Sequence, residues 1–331
     1  MRCFITGVAG FIGSHLAERL LAEGHEVVGM DSLTEAYDVS LKEENLDQLR
    51  SFGSFQFLRG DLVQEDLGKV LEGVDVVYHL AAQAGVRSSW GEEFELYIKR
   101  NILATQRLLE SCRNKPLERF VFASSSSVYG EQKIYPTPEG SLPRPLSPYG
   151  VSKLAAEHLC SLYWRNFGIP CVSLRYFTVY GPRQRPDMAF HRFMKALWSG
   201  APIVIFGDGT QSRDFTYVSD IVDATLKAAT LGTPGAIYNV GGGSNATLKE
   251  VLRLLEEITG LSPRIVWKKR EKGDVMHTMA DLALSRKDLH YKPKVDLREG
   301  LERQWQWMCH WLEKRKKASR KANSEAEGAS S

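Results

Sequence analysis

The sequence holds only five cysteines, Cys3, Cys112, Cys160, Cys171 and Cys309, and none forms a Cys-x-x-Cys pair. An odd, scattered set excludes a disulfide framework and a structural zinc site. The eight histidines show no His-Glu-x-x-His or comparable spacing, so the sequence offers no ligand set for a catalytic metal. No apolar run approaches the ~18 residues of a membrane span, and no charged-then-apolar leader is evident before Cys3. The expected location is therefore cytoplasmic, with no membrane partner. Charge of one sign is scarce as well. The net charge is +3, and the stretch from Lys314 onward more than accounts for it, with six basic residues (Lys314, Arg315, Lys316, Lys317, Arg320, Lys321) against Glu325 and Glu327. The body of the chain has no basic surface of the kind that binds nucleic acid.

What is present is an ordinary globular composition, 331 residues with 43% apolar content, about two domains' worth of chain. Short β-rich runs are predicted at Cys3–Thr6, Glu26–Met30, Phe55–Leu58, Val74–His79, Arg119–Ser124 and Cys171–Leu174. Helical periodicity falls between them, at Gly13–Ala22, Leu96–Cys112 and Pro148–Phe167. This alternation predicts an α/β fold, a Rossmann-type doubly wound parallel sheet. After Gly181 the elements become shorter and mixed, with helices predicted at Phe190–Ser199, Ser219–Thr230, Leu248–Thr259 and Arg298 to Glu313, and strands at Ile203–Phe206, Ala236–Val240 and Arg264–Trp267. They predict a smaller C-terminal α/β domain stitched to the sheet by several crossings. The division is residues 1–180 plus about 214–240 for the sheet domain and 181–213 plus 241–313 for the second. Residues 314–331 are expected to be a disordered basic tail.

The first strand runs into Gly7-Val8-Ala9-Gly10-Phe11-Ile12-Gly13 and then a helix. Glycines at this junction let the backbone turn sharply and approach a pyrophosphate at the helix N-terminus. Asp31 follows at the end of the second strand, where a carboxylate suits a ribose 2′-hydroxyl and repels a 2′-phosphate. Ser32, Leu33 and Thr34 offer no cation, so the expected cofactor is NAD rather than NADP. Asp61, Leu62, Leu80, Ala81 and Ala82 fall at carboxyl ends of strands, where ligands bind in such sheets, while His79 reads as a packing residue.

Ser147-Pro148-Tyr149 reads as a helix start, with Ser147 as cap and Pro148 in the first turn. Tyr149 and Lys153 then share one helix face. A free tyrosine, with a pKa of about 10, is too weakly acidic to serve as a base at neutral pH, and a nearby cation pulls that value down. The run Ser124-Ser125-Ser126-Ser127 at the end of a buried strand points toward the ligand crevice.

These motifs, with Arg175-Tyr176-Phe177-Thr178-Val179-Tyr180-Gly181-Pro182, resemble the extended short-chain dehydrogenase/reductase family, specifically its nucleotide-sugar epimerases, over Met1 to Glu313. The resemblance implies a catalytic triad of Ser125, Tyr149 and Lys153, a cofactor-positioning Asn101, and Tyr176 beside the cofactor. It also implies a UDP-sugar substrate and a homodimer through the helices Leu96–Cys112 and Pro148–Phe167. Similar 4,6-dehydratases carry Asp-Glu where this chain has Ser126 and Ser127, and related decarboxylases keep a Glu at Ser127. UDP-glucose 4-epimerases usually read Arg-Tyr-Phe-Asn and later Arg-x-x-Asp. Here the residues are Thr178, and Glu271 three before Asp274 with Arg270 displaced by one. Thr178, the segment Arg185 to Ala189 and the segment Tyr37 to Lys42 resemble UDP-glucuronate 4-epimerases, which makes that activity the expectation. UDP-glucose epimerisation and then UDP-glucuronate decarboxylation are the alternatives. A non-enzymatic NAD-binding scaffold is disfavoured, because such relatives typically lose the Tyr or the Lys. Ser126, Ser127, Thr178 and Arg185 are expected around the sugar, Arg213 on the diphosphate and Asp274 on the uridine ribose. Arg87, with its neighbour Ser88, and Arg192 are further candidates. Trp305, Trp307 and Trp311 are read as packing.

Overall fold

A computed structural model describes residues 1–328 except 244 and 272, with side chains described through residue 317. Its strands are β1 Arg2–Thr6, β2 Glu26–Asp31, β3 Phe55–Arg59, β4 Val76–His79, β5 Arg119–Ser125, β6 Cys171–Tyr176, β7 Thr178–Tyr180, β8 Ile203–Phe206, β9 Ser212–Tyr217, β10 Ile237–Val240, β11 Asn245–Thr247 and β12 Ile265–Lys268. Seven form one sheet in the order β10-β6-β5-β4-β1-β2-β3, every pairing parallel. The order reverses between β1 and β4, and the crevice beyond their carboxyl ends is where such sheets take ligands.

Parallel strands buried on both faces read as continuous apolar runs. Accordingly Phe4 and Val77 face one layer of core while Cys3, Ile5 and Val76 face the other. Each fully buried side chain of this size contributes about 1.5–3 kcal/mol. Two small sheets follow, β11-β9-β7 and β12-β8. β7 follows directly from the carboxyl end of β6.

Several expectations are corrected. The first helix starts at Phe11 rather than Gly13, because Gly10 is its N-cap. The stretch expected as one helix from Leu96 is broken by a π-helical turn, Ile98–Leu103, between Phe94–Tyr97 and Ala104–Ser111. The helix Val39–Arg50 and strands β7, β9 and β11 were not anticipated. The last helix does not end at Glu313 but runs Leu297–Gly328. Beyond Glu313, Arg315 reaches Asp38 and Glu44, so the basic stretch begins against the body of the protein, while residues 329–331 of the expected tail lie outside the described residues. Among the described residues no helix is long and apolar enough to cross a membrane.

Candidate active site

The glycine turn is a steric necessity. A Cβ on Gly13 would lie 2.2 Å from the Gly7 carbonyl oxygen, and one on Gly7, at φ +72°, 2.8 Å from the Ala81 nitrogen. No side chain caps the helix at Gly10, so its first N–H groups are left for a ligand, and an anion suits them. In front lies a cavity of about 520 Å³. Gly7, Gly10, Phe11, Ile12, Gly13, Asp31, Asp61, Leu62, Leu80, Ala81, Ala82, Tyr149, Lys153 and Tyr176 all line it. The cradle and the acidic group at its far end fit a dinucleotide.

Asp31 accepts N–H groups from Ala9 at 3.2 Å and Leu33 at 2.9 Å. Burial pushes its pKa up, and Lys42, 3.9 Å away, pulls it down. A cation therefore stands at this end, from outside the segment Ser32 to Thr34. Lys42 comes from the unanticipated helix and donates to the Thr34 carbonyl at 2.9 Å. Its helical position, eleven residues past Asp31, was the signal available.

Asn101 is not among the cavity's lining residues. It stands behind the wall. Its Oδ1 accepts the Gln83 N–H at 2.7 Å, and its Nδ2 donates to the Gln83 carbonyl at 2.9 Å and to Ser152 at 2.8 Å. The π-helical turn widens the helix at this residue, so Asn101 fixes the loop that borders the cavity. His79, as expected, packs: Thr6 and Thr105 hydroxyls lie 2.7 and 2.9 Å from its ring nitrogens, and burial lowers its pKa to about 3.

Ser147 caps the helix Pro148–Phe167 by accepting the Gly150 N–H at 3.1 Å, and Pro148 occupies its first turn. A Cβ on Gly150 would sit 2.6 Å from the Ser127 carbonyl, so the helix start is pressed against the serine segment. The four serines diverge. Ser124 turns inward to Glu157, 2.7 Å away. Ser125 caps the next turn by accepting the Ser127 N–H at 3.1 Å, and its side chain lowers the Tyr149 pKa. Ser126 and Ser127 border a second cavity, of about 160 Å³.

Burial pushes the Tyr149 pKa up; the Ser125 hydrogen bond and then the Arg185 charge pull it down, while Tyr97, edge-on at 6.2 Å, pushes it up. The Arg185 charge thus acts on the tyrosine. Lys153 lines the same cavity, its ammonium 4.5 Å over the Phe122 ring and its pKa lowered by burial to about 8. Arg185 forms a two-point pair with Asp187 at 3.0 and 2.9 Å on the wall of the larger cavity, not the smaller one.

The second cavity brings together Ser126, Ser127, Thr178, Arg213 and Asp274. Arg213 donates to the carbonyls of Ser212 and Met276 at 2.8 and 3.2 Å, and burial lowers its pKa. Asp274 is paired with Arg87 at 2.6 Å, so Arg87 reaches the site through Asp274 and lies 4.3 Å over the Phe206 ring. Arg192 is not brought in. It is exposed on the helix Ala189–Ser199 and lines neither cavity, because that helix buries Phe190, Phe193 and Met194 instead. A third cavity, of about 240 Å³, adjoins at Asp274 and is walled by Phe206, Gln211 and Arg270, residues the sequence reading missed or set aside. Arg270 donates to the Asp274 carbonyl, so its displacement by one position does not remove it from the site.

A large cavity fitted to a dinucleotide, with two smaller ones that meet at Asp274 and Val275 and suit an anionic ligand, agrees with the match of residues 3–241 to the NAD dependent epimerase/dehydratase family. The chain belongs to that family. A UDP-glucuronate 4-epimerase of Thermodesulfobacterium geofontis is 40% identical over 92% of this chain and 94% of its own length. A Bacillus subtilis protein named as an uncharacterized UDP-glucose epimerase is 49% identical over 91% of this chain and 96% of its own. Among solved structures, UDP-glucuronic acid 4-epimerase from Bacillus cereus in complex with UDP-glucuronic acid and NAD superposes with a TM-score of 0.92 at 46% identity, over 94% of this chain and 100% of that one.

Proposed function

We propose that this epimerase inverts carbon 4 of a UDP-sugar, converting UDP-glucuronate to UDP-galacturonate with NAD as a retained cofactor. The observation that carries this reading is the second cavity. Bordered by Ser147, the cap of the helix that carries Tyr149, it presents the hydroxyls of Ser126, Ser127 and Thr178, and among its described lining residues the acidic one, Asp274, stands with Arg213. Dehydration or decarboxylation asks for an acid or base next to the sugar, and those positions hold serines.

NAD, when bound, supplies the acceptor that takes the carbon 4 hydride and gives it back on the other face. Gly7, Gly10 and Gly13 cradle the dinucleotide, Asp31 takes its ribose hydroxyls, and Lys153 faces it from the cavity wall. Tyr149 removes the proton from the 4-hydroxyl and later returns it. Ser125 is suited to assist: its oxygen is already accepting the Ser127 N–H, which leaves its own proton to donate to the phenolate. Arg213 holds the diphosphate while the sugar turns, and Asp274 holds the uridine ribose.

The 4-keto uronate formed in passing is a β-keto acid, which loses carbon dioxide when its carboxylate bond aligns with the carbonyl π system. Ser126, Ser127 and Thr178 orient the carboxylate away from that alignment, and Arg185 acts from the wall of the larger cavity that it shares with Tyr149. UDP-glucose is the second reading, favoured by Arg270 returning to Asp274. Incubation with UDP-glucuronate and separately with UDP-glucose, read by NMR with carbon dioxide release, decides between them. UDP-galacturonate without carbon dioxide supports the uronate; conversion of UDP-glucose alone rejects it, and a pentose product makes the protein a decarboxylase.

The chain divides into residues 1–180 with 214–240 for the dinucleotide and 181–213 with 241–313 for the sugar nucleotide. It pairs as a homodimer through exposed Leu103, Val151, Leu162 and Phe167, a face that light scattering tests. Five free thiols suit the reducing cytoplasm.

A further inference from the structure

Two features that the reaction does not use meet behind the dinucleotide cavity: the tryptophans of the last helix and the start of the basic stretch. Trp307 and Trp311 stack at 5.6 Å with their planes 10° apart. His191 stands edge-on to both, at 6.3 and 5.7 Å. Its N–H donates to Gln184 Oε1 at 3.0 Å and its Nδ1 lies 2.8 Å from the Gln184 carbonyl. Gln184 is the neighbour of Arg185 in the chain, so the stacked pair braces the segment that carries Arg185 and Asp187.

On its other side the same tryptophan grips a second segment. Trp311 Nε1 donates to Glu44 at 2.8 Å. Arg315 lies 4.7 Å over the Trp311 ring and donates to Glu44 at 3.0 and 3.2 Å, to Asp38 at 3.2 Å and to the Ser40 hydroxyl. Asp38 is the cap of the helix Val39–Arg50, and Lys42 of that helix reaches Asp31. Tyr37 and Lys42 from this segment and Arg185 and Asp187 from the other line one cavity.

We propose that Trp311 and Arg315 are positioning residues, a latch that ties together two of the segments walling the dinucleotide cavity and so keeps the cofactor bound from one turnover to the next. The inference rests on the reading that this cavity takes NAD. An enzyme that ends each cycle with its cofactor regenerated gains nothing from releasing it. The 32–38 segment is mostly irregular and is held at its near end by Leu33 and Thr34, which leaves Asp38 and the helix start to the contacts from Arg315. Arg315 suits the task because a planar guanidinium can serve several acceptors at once, which an ammonium cannot match geometrically.

The test compares full-length parent, Arg315→Ala, Arg315→Lys and Trp311→Phe for NAD per protomer after desalting, for KM toward UDP-glucuronate, and for Tm. Arg315→Ala is expected to lose at least half of its NAD, with kcat restored by added NAD and the UDP-sugar KM within twofold of the parent. Trp311→Phe, which keeps a ring but not the donor to Glu44, loses NAD in the same direction, and Arg315→Lys is intermediate. Raising salt strips NAD from the parent but adds little to the loss in Arg315→Ala. A general loss of structure would instead lower Tm and move every constant together, in which case Glu44→Gln tests the latch from the other partner. Equal NAD retention by parent and Arg315→Ala at low and high salt overturns the latch alone. A parent that takes up no NAD overturns the functional reading with it.

Discussion

Glu157 and Arg175 close a two-point ion pair in the interior, at 2.6 and 3.0 Å, with both side chains at most 3% exposed. Glu157 lies two turns beyond Tyr149 on the same helix and also accepts the Ser124 hydroxyl, so one carboxylate ties the helix that begins at Pro148 to β5 and β6. Removing one partner of such a pair leaves an uncompensated buried charge. Glu157→Ala should therefore destabilise the fold by about 3–5 kcal/mol, as read by denaturant unfolding. A loss below about 1 kcal/mol would mean the pair is dispensable.

The pH dependence follows from the groups around Tyr149. A hydrogen bond from Ser125 and the charge of Arg185 both favour the phenolate, so losing either raises the pKa of the base. The acidic limb of kcat should then move to higher pH. For Ser125→Ala a lost bond to a charged group, about 1.5–3 kcal/mol, corresponds to roughly one to two pH units. Arg185→Gln should move it the same way by less, because the Ser125 contribution is the larger. An unchanged limb in Ser125→Ala would remove this serine from the proton transfer.

Partitioning of the 4-keto sugar tests the hydroxyl-lined cavity directly. Ser127→Glu, which installs a carboxylate where decarboxylases carry one, and Arg185→His should each raise the share of turnover that releases carbon dioxide. The measurement is the ratio of pentose to epimer by NMR. Equal ratios in parent and both variants would show that these side chains do not govern the carboxylate.

Gly13→Ala should abolish NAD retention, since the added carbon would lie 2.2 Å from the Gly7 carbonyl and force the turn apart. NAD content after desalting checks it. Gly53→Ala, where nothing lies within 4 Å of an added carbon, serves as the control and should retain its cofactor.

Much of this was readable from the chain because the relevant signals are local. Gly7 to Gly13, Asp31, Ser125, Tyr149 and Lys153 each sit at the end of a strand or the start of a helix, where spacing and residue type carry the physics. The helix Val39–Arg50 escaped notice because it is polar on average, burying only Lys42, Asn45, Leu46 and Leu49. With it went Lys42, whose partner Asp31 is fixed only by the packing of that helix. Arg270 was misjudged for a related reason: a spacing in an irregular segment does not say where a long side chain will reach. Arg192 failed in the opposite direction, since a basic residue near a motif can still face solvent once its helix has chosen which side to bury. The end of the last helix was missed because composition reports what a segment can bury by itself, not what Trp311 and Glu44 offer it.

The helix that begins at Pro148 has two working faces. Tyr149, Lys153 and Glu157 look inward, while Val151, Leu162 and Phe167 lie open on the outside. Reaction chemistry and outer wall are therefore one rigid rod, with no intervening layer to absorb a disturbance. On the proposed function, a substitution at exposed Val151 would act on Tyr149 through the helix they share rather than through any ligand contact.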